Sequence, residues 1–79
     1  MKITYDASVG AAYIYLTDDI EPGGVARTYC CDPQEVKGLV NLDFDSGGRL
    51  IGIEVLDASE LLPEIVLQNL LPKGQQTWN

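Results

Sequence analysis

Apolar and polar residues alternate in two segments of the chain that resemble each other. Residues 3–18 and 42–57 align without a gap when the first segment is shifted by 39 positions. Alternation with a period of two is typical of a strand with one buried face, and each segment holds two such runs around a turn. The pattern therefore predicts two similar β-hairpins.

The second hairpin has a well-specified register. Gly47 and Gly48 suit the two positive-φ positions of a type I′ turn, and a turn centred there separates apolar from polar positions. The predicted apolar pairs are Phe44 with Ile51, Leu42 with Ile53, and Val40 with Val55, while Asn41, Asp43, Gly52 and Glu54 fall on the opposite face. A slip of one residue would invert every side chain, so the alternation supports this register.

The first hairpin follows from the same offset. The predicted pairs are Ile3 with Ile14 and Tyr5 with Ala12. Its turn contains Val9, and a β-branched residue disfavours positive φ. We therefore expect a longer loop around a type I turn in this hairpin.

A fifth strand is predicted between the hairpins, at residues 25–31, with turn-rich loops at 19–24 and 32–38. A leucine-rich helical segment follows the second hairpin. We therefore predict an α+β fold: a five-stranded antiparallel meander sheet, built from two similar hairpins plus a linking strand, with one face covered by a C-terminal helix.

The start of that helix carries capping signals. Asp57 can act as N-cap, with Glu60 three residues on to complete a capping box. Pro63 disrupts a continuous helix, so either a single turn breaks at Leu62 and Pro63 opens the main helix, or the helix kinks there. Leu71-Pro72 is expected to end it.

The helical segment is more apolar than one sheet face requires. Its apolar side chains cover far more than the stripe of about 100° that a surface helix buries. A helix laid deep across a small sheet would explain part of this excess, and contact with a second chain would explain all of it. The candidate partner interface is therefore Leu61, Leu62, Ile65, Val66, Leu67 and Leu70.

The short length of the chain favours contact with a second chain. A chain of 79 residues forms one small domain, which we place at residues 1–71, with a flexible tail at 72–79. Such a chain buries only about 60% of the surface that its unfolded form exposes, so its stability is marginal without a second subunit, a metal, disulfides or an idealised core. A disulfide between the adjacent Cys30 and Cys31 would be strained and would restrain little chain.

Charge and composition narrow the classes of partner. Twelve acidic and five basic residues give a net charge of −7, which argues against nucleic acid. It leaves a homo-oligomer, a small basic protein partner, cations, or solubility alone. No stretch approaches the roughly 18 apolar residues that span a membrane, and the first residues do not resemble a signal peptide. With two free thiols, the expected location is the cytoplasm.

One segment resembles a calcium-binding loop. Residues 43–54 place Asp43 and Asp45 at positions 1 and 3 and Glu54 at position 12 of an EF-hand pattern, but Gly47 stands at a ligand position and strands flank the loop. Calcium binding is therefore an alternative to protein interaction. As the main expectation, we assign no metal site and no cofactor.

Catalytic groups are sparse. The chain contains no histidine, which removes the usual general base and most zinc sites. Paired carboxylates need a cleft that separates their pKa values, and a single sheet with one covering helix offers little cleft. Cys30-Cys31 lacks the spacing of redox motifs, and alternation along a strand predicts one buried and one exposed thiol. We therefore expect no enzymatic activity and no catalytic residues.

Several blocks of the chain occur in the order found in a known bacterial family. These blocks are Lys2-Ile3-Thr4-Tyr5-Asp6, Ala11-Ala12-Tyr13-Ile14-Tyr15-Leu16, Val25-Ala26-Arg27-Thr28, and Leu42-Asp43-Phe44-Asp45 followed by the run from Gly48 to Ser59. Over residues 1–59 the chain resembles the family called domain of unknown function 2283. Cys30-Cys31 and the leucine-rich end depart from the family pattern.

The resemblance implies a small prokaryotic protein without an established activity or assigned catalytic residues. It also implies neighbouring genes for small toxin-like proteins, and hence an antitoxin-like or other partner-binding role. We therefore expect a non-enzymatic protein-interaction module, either dimeric or bound to a partner.

Overall fold

The computed structural model of the chain describes residues 1–32, 34–35 and 37–72. The strands are β1 (Lys2–Asp6), β2 (Ala11–Tyr15), β3 (Arg27–Cys30), β4 (Val40–Phe44), β5 (Leu50–Leu56) and β6 (Leu71–Pro72), and the helices are α1 (Ala58–Leu61) and α2 (Glu64–Leu67). The described residues form a flat molecule of 33 × 33 × 20 Å.

A single sheet organises these elements in the order β3-β4-β5-β2-β1-β6. Strands β1 to β5 pair antiparallel, so the predicted α+β fold with a five-stranded antiparallel sheet is confirmed. The order is not that of a strict meander, because β2 pairs with β5 instead of β3. The two hairpins therefore lie side by side at the centre, and the chain after β2 crosses to the far edge before it forms β3.

An approximate two-fold axis relates the two hairpins. Ile14 pairs with Ile53, its own equivalent under the 39-residue offset, across the antiparallel contact between β2 and β5. An antiparallel pair whose opposed residues are equivalents has a local two-fold axis perpendicular to the sheet. The duplication in the sequence is therefore also a rotational repeat in the structure.

Strand registers agree with most of the predicted pairs. The structure pairs Ile3 with Ile14, Tyr5 with Ala12, Leu42 with Ile53, and Val40 with Val55. The predicted pair of Phe44 with Ile51 is wrong, because the register shifts by one residue after Asp43 and Phe44 lies opposite Leu50. Ile51 is the extra residue of this β-bulge.

The bulge accompanies a turn that differs from the predicted type. Gly48 has a φ of 82°, whereas Gly47 does not have a positive φ. The Gly48 N–H donates to the Asp45 carbonyl at 3.0 Å, and the N–H groups of Gly47 and Arg49 each donate to Asp45 Oδ1 at 2.9 Å. This is the three-residue loop in which a turn is followed by one left-handed glycine, so the predicted type I′ turn is wrong.

The first hairpin has the longer loop that was predicted, with four residues between Asp6 and Ala11. The Val9 N–H donates to the Asp6 carbonyl at 3.3 Å, and the left-handed position falls on Gly10, whose φ is 68°. Val9 thus avoids positive φ. The two hairpins align without a gap in sequence, but the left-handed residue is Gly10 in the first and Gly48, the equivalent of Val9, in the second.

Two single-turn helices follow β5. Leu62 is extended, with φ −90° and ψ 144°, so α1 breaks there and α2 begins after Pro63. The predicted break at Leu62 is therefore confirmed. The predicted capping box is wrong: Asp57 has a left-handed backbone, with φ 55°, and its side chain makes no capping hydrogen bond. Instead, the Ala58 N–H donates to the Gly10 carbonyl at 3.0 Å, which ties α1 to the first hairpin.

The C-terminal part of the described chain also differs from the predicted helix. The second helix ends at Leu67 and not at Leu71. Leu71–Pro72 instead forms the short strand β6, which pairs parallel with β1. The predicted tail at 72–79 lies outside the described residues except for Pro72.

The core lies between the sheet and the two helices. Its buried residues are Ile3, Ala12, Val55 and Ala58, and the partly buried residues that pack against them are Tyr5, Ile14, Ile53, Leu61, Leu62, Val66 and Leu70. Ile51 is also buried, outside this cluster. Within the described part of the chain, no side chain larger than alanine is fully buried. No helix in that part is long and apolar enough to cross a membrane.

The turn of the second hairpin supplies a matched pair of variants. We expect Gly48→Ala to lower the free energy of unfolding by about 1–2 kcal/mol, because alanine is strained at positive φ. We expect Gly47→Ala to change it by less than about 0.5 kcal/mol, since a Cβ there meets Asp45 Oδ1 at 3.4 Å, an ordinary contact. Urea denaturation measures both. Equal losses would indicate the type I′ turn instead.

Candidate functional site

The two faces of the sheet differ in chemistry, and each holds a candidate site. Residues directly opposite in an antiparallel ladder point to the same face. The register therefore puts one set on the polar face: Lys2, Thr4, Tyr13, Tyr15, Thr28, Asn41, Asp43, Gly52 and Glu54. The apolar side chains on the other face include those that pack beneath α1 and α2.

Asp43 is the centre of a hydrogen-bond network on the polar face. The Tyr13 hydroxyl donates to Asp43 Oδ2 and the Thr28 hydroxyl donates to Asp43 Oδ1, each at 2.6 Å. These bonds connect β2, β4 and β3. Tyr13 reaches β4 by crossing β5 at Gly52, where a Cβ would lie 2.7 Å from Cε2 of its ring. Gly52 is therefore required for this close approach.

The environment of Tyr13 changes its acidity. Burial raises the pKa of the Tyr13 phenol well above its ordinary value, and the hydrogen bond to the Asp43 carboxylate and the charge of that carboxylate raise the pKa further. Each effect disfavours the phenolate. Tyr13 therefore acts as a hydrogen-bond donor that keeps its proton, and not as a general base.

A groove of about 370 Å³ lies beside this network, and Thr4, Tyr13, Tyr15 and Glu54 contribute to its lining. The Tyr13 and Tyr15 rings contact edge to face at 4.8 Å, and Lys2 Nζ lies 4.5 Å from the centre of the Tyr15 ring. These contacts are ordinary cross-strand and neighbouring pairs on an exposed sheet face. They order the side chains on this face of the sheet.

The residues of the calcium hypothesis lie in two places. Asp43 and Glu54 share the polar face, as the register predicted, and Glu54 Oε1 accepts a hydrogen bond from Asn41 Nδ2 at 2.8 Å. Asp45 lies in the turn, where its Oδ1 binds two backbone N–H groups. The described residues contain no group of three or more acidic or cysteine side chains that could hold a metal ion.

The two cysteines lie at the end of β3, and both are free thiols. Cys30 pairs with Asn41 on the polar face and is exposed, whereas Cys31 is half-buried. The predicted alternation of an outward and an inward thiol is consistent with this arrangement.

The residues of the predicted partner interface divide between the core and the surface. Leu61, Leu62, Val66 and Leu70 pack against the core, and Leu67 is half-buried. Ile65 is 68% exposed and points away from the sheet. The two helices therefore use most of their apolar side chains to cover their own sheet.

This cover extends over half of the apolar face. The side chains that pack under the helices form what we call the covered half: Ile3, Tyr5, Ala12, Ile14, Ile53 and Val55. We call the uncovered half the apolar residues on the other side of the two-fold axis: Leu16, Tyr29, Leu42, Phe44, Leu50 and Ile51, of which Ile51 is buried at 9% exposure. Among them Tyr29 is 60% exposed, and within the described chain neither helix packs on this set.

The two halves are equivalent in sequence but not in exposure. The offset of 39 residues relates Ile3 to Leu42, Tyr5 to Phe44, and Leu16 to Val55. Val55 is 4% exposed, whereas its equivalent Leu16 is 40% exposed. The two copies differ after β2, where Pro22, Gly23 and Gly24 correspond to the last residue of α1 and the break that follows it, and a proline followed by two glycines disfavours a helix.

Sequence reasoning did not identify the uncovered half or the Asp43 network. The signal for the first was present: the repeat ends in a helix in one copy and in a Pro-Gly-Gly loop in the other. The network requires knowledge that β2 lies next to β5, and the sequence carried no signal for that pairing. Glycine at position 52, inside a strand pattern, was the available sign of a close approach.

The Tyr13 network leads to a test at alkaline pH. The folded state keeps the Tyr13 proton to a higher pH than the unfolded chain, whose phenol ionises near its ordinary pKa of 10.0. The stability that Tyr13 contributes is thus present below pH 10 and is lost as the pH rises above it. We expect Tyr13→Phe to lower the free energy of unfolding at pH 7 by about 1 kcal/mol. We also expect the variant to lose less of its stability than the parent protein as the pH rises above 10.

Thermal unfolding followed by circular dichroism between pH 7 and pH 11 measures both effects. Thr28→Val is the control, because it removes the other hydrogen bond to Asp43 and leaves the phenol in place. An alkaline loss that is equally steep in Tyr13→Phe would contradict the assignment.

Comparison with known proteins gives one match. The family model described as Protein of unknown function (DUF2283) matches residues 2–59, which include β1 to β5 and the first two residues of α1. No curated protein and no solved structure matches the chain. Because the family model covers well over half of the sequence, the chain belongs to the DUF2283 family of proteins of unknown function.

Proposed function

We propose that this protein is a non-enzymatic protein-interaction module that is completed by a second chain, either another copy or a different protein partner. An antitoxin-like role falls within this proposal, because neutralisation of a toxin by binding needs a docking surface and no catalysis. We also propose that it works in the cytoplasm, where Cys30 and Cys31 would remain as the free thiols that the structure contains.

The incomplete core is the observation that supports the proposal. In the described chain no side chain larger than alanine is fully buried, although 46% of the residues are hydrophobic. Each buried methylene contributes about 0.8 kcal/mol, so a sheet with half of its apolar face open forgoes several kcal/mol. For a small domain this is comparable with the whole free energy of folding. A partner that covers the open half would supply it.

The polar face supports a binding role over a catalytic one. Both oxygens of Asp43 and one oxygen of Glu54 accept hydrogen bonds from side chains of the same sheet. The Tyr13 proton is held more tightly than usual. These groups stabilise the sheet, and a general acid or base would instead need a pKa near the working pH.

We expect the stability of the purified protein to depend on its concentration. If folding is coupled to dimerisation, a hundredfold rise in concentration adds about 2.7 kcal/mol, which raises the melting temperature by roughly 5–10 °C. Scanning fluorimetry between 1 and 100 μM measures this shift. Excess reductant is the control, because it excludes dimers linked through the exposed Cys30.

A melting temperature independent of concentration would leave a different protein as the partner. In that case we expect co-expression with the product of a neighbouring gene to yield a stable complex of defined stoichiometry. A chain that is monomeric, independent of concentration and recovered without any partner would contradict the proposed function.

The calcium alternative predicts a different result. Calcium binding through Asp43, Asp45 and Glu54 would release or absorb heat and raise the melting temperature. We expect neither effect on titration with calcium chloride up to 5 mM, with magnesium chloride at equal ionic strength as the control. Heat that disappears in an Asp45→Asn variant would favour the calcium alternative.

A further inference from the structure

The groove on the polar face exists because the two hairpins fill that face unequally. Under the offset of 39 residues, Thr4 corresponds to Asp43, and Tyr13 corresponds to Gly52. On the side of the second hairpin, the Tyr13 side chain leans across Gly52 and its hydroxyl donates to Asp43. Gly52 has no side chain that could lean back to Thr4 in the same way. The groove is the space that this asymmetry leaves beside Thr4.

The Thr4 hydroxyl opens into this groove without a partner. Thr4 is only 9% exposed, and its side chain forms no hydrogen bond with any residue of the described chain. Every completely buried side-chain polar atom in that part of the chain has a partner, so the Thr4 hydroxyl keeps some access to solvent. Thr4 lines the groove, which is therefore the route of that access. A hydroxyl this deep gains free energy when a ligand binds it.

Acidic groups flank the hydroxyl. Thr4, Tyr13 and Glu54 form one row across β1, β2 and β5, because Tyr13 lies opposite both Thr4 and Glu54. Oε1 of Glu54 accepts a hydrogen bond from Asn41, and no basic side chain of the described residues forms an ion pair with this carboxylate. Asp6 also lines the groove and adds a second negative charge. The groove therefore suits a cation that carries hydrogen-bond donors.

Aromatic and aliphatic side chains complete the lining. Tyr13 and Tyr15 present two rings, and Lys2 Nζ already lies 4.5 Å from the centre of the Tyr15 ring. That contact is the attraction of an ammonium group by an aromatic ring. Val9 and Ala11 also line the groove, and Val9 is 64% exposed in the hairpin loop. An alkyl chain would cover Val9 while its charged end contacts the rings.

We propose that the groove binds an alkylammonium group, carried either by a free diamine or by a lysine side chain. The ammonium donates to the Glu54 carboxylate and to the Thr4 hydroxyl, and the two rings stabilise its charge. Because Asn41 already occupies one oxygen of Glu54, a single donor fits better than a guanidinium, which prefers both oxygens of a carboxylate.

The size and charge of the molecule agree with this ligand. A volume of about 370 Å³ lies at the lower end of the range for ligand sites and suits a group as small as a lysine side chain. The net charge of −7 attracts cations to the whole molecule, and the groove gives them one position. The groove lies on the opposite face from the uncovered half, so the proposed ligand does not depend on the proposed function.

NMR titration of the ¹⁵N-labelled protein with putrescine and with N-acetyl-lysine methylamide tests the proposal. We expect amide signals of the groove residues to shift, with dissociation constants of about 1–10 mM. 1-Butanol at equal ionic strength is the uncharged control, and we expect it to bind at least about tenfold more weakly. Tighter binding of putrescine would support a free diamine, and tighter binding of the lysine derivative would support a protein side chain. No shift with either amine, or equal binding of butanol, would overturn the proposal and leave the proposed function intact.

Two variants that each remove one negative charge separate the groove from the net charge. Glu54→Gln keeps the oxygen that accepts from Asn41, and Glu60→Gln changes an exposed residue of α1 outside the groove. We expect Glu54→Gln to weaken binding about tenfold or more, and Glu60→Gln to weaken it less than about twofold. Equal effects of the two variants would show a non-specific attraction of cations and would overturn the proposal.

Thr4→Val distinguishes a ligand-binding hydroxyl from a structural one. Valine has nearly the same shape, and the Thr4 hydroxyl has no partner among the described residues to lose. We therefore expect the melting temperature to stay the same or rise, while the affinity for the amine falls about threefold or more. An unchanged affinity, whatever the melting temperature, would overturn the proposal.

Discussion

The structure depends on how much of one apolar sheet face the chain can cover. Two similar hairpins place equivalent apolar side chains on both sides of a local two-fold axis, so both sides have the same requirement for burial. The chain forms α1 and α2 over one side, where Val55 is 4% exposed, and a Pro-Gly-Gly loop at the corresponding point of the other copy. A symmetric sheet with an asymmetric cover leaves one side of the apolar face without packed helices.

The polar face gives that surface a fixed shape. Tyr13, Asp43 and Thr28 join strands β2, β4 and β3 by two short hydrogen bonds on the opposite side of the sheet. Of these strands, β2 also packs under α1 and α2 through Ala12 and Ile14, whereas no residue of β3 or β4 belongs to that core. A surface ordered before binding loses less conformational entropy on association. The network therefore orders β3 and β4 from the polar face, and it would preorganise the other face for the proposed partner.

The sequence predicted the fold well wherever local alternation determines it. Hairpin registers such as Ile3 with Ile14 follow from period-two patterns, because a slip would expose one complete set of side chains. The turn at Gly47-Gly48 was mispredicted because glycine permits several turns, and the Asp45 side chain selects among them through two backbone N–H groups. β3 pairs with β4 instead of β2, and this pairing depends on contacts between distant parts of the chain that no short sequence pattern predicts. The candidate interface was predicted at Leu61 to Leu70 because the apolar arc of that segment is wider than one sheet face requires. The side of the sheet that the helices leave uncovered becomes visible only once the strand order is known.

The family match covers the sheet but only part of the helices that pack on it. Residues 2–59 contain β1 to β5 and thus both halves of the apolar face, while α2 and the second half of α1 lie beyond the matched region. Four of the side chains that cover one half, namely Leu61, Leu62, Val66 and Leu70, are therefore outside it. The matched region alone is a sheet with one polar face and one apolar face that is open on both sides of the two-fold axis. Since an apolar face of that size is not stable in water, whatever packs onto it is as much a part of the folded unit as the strands themselves. In this chain one half is covered by its own C-terminal helices, and the other half, where Tyr29 is 60% exposed, is not covered by them.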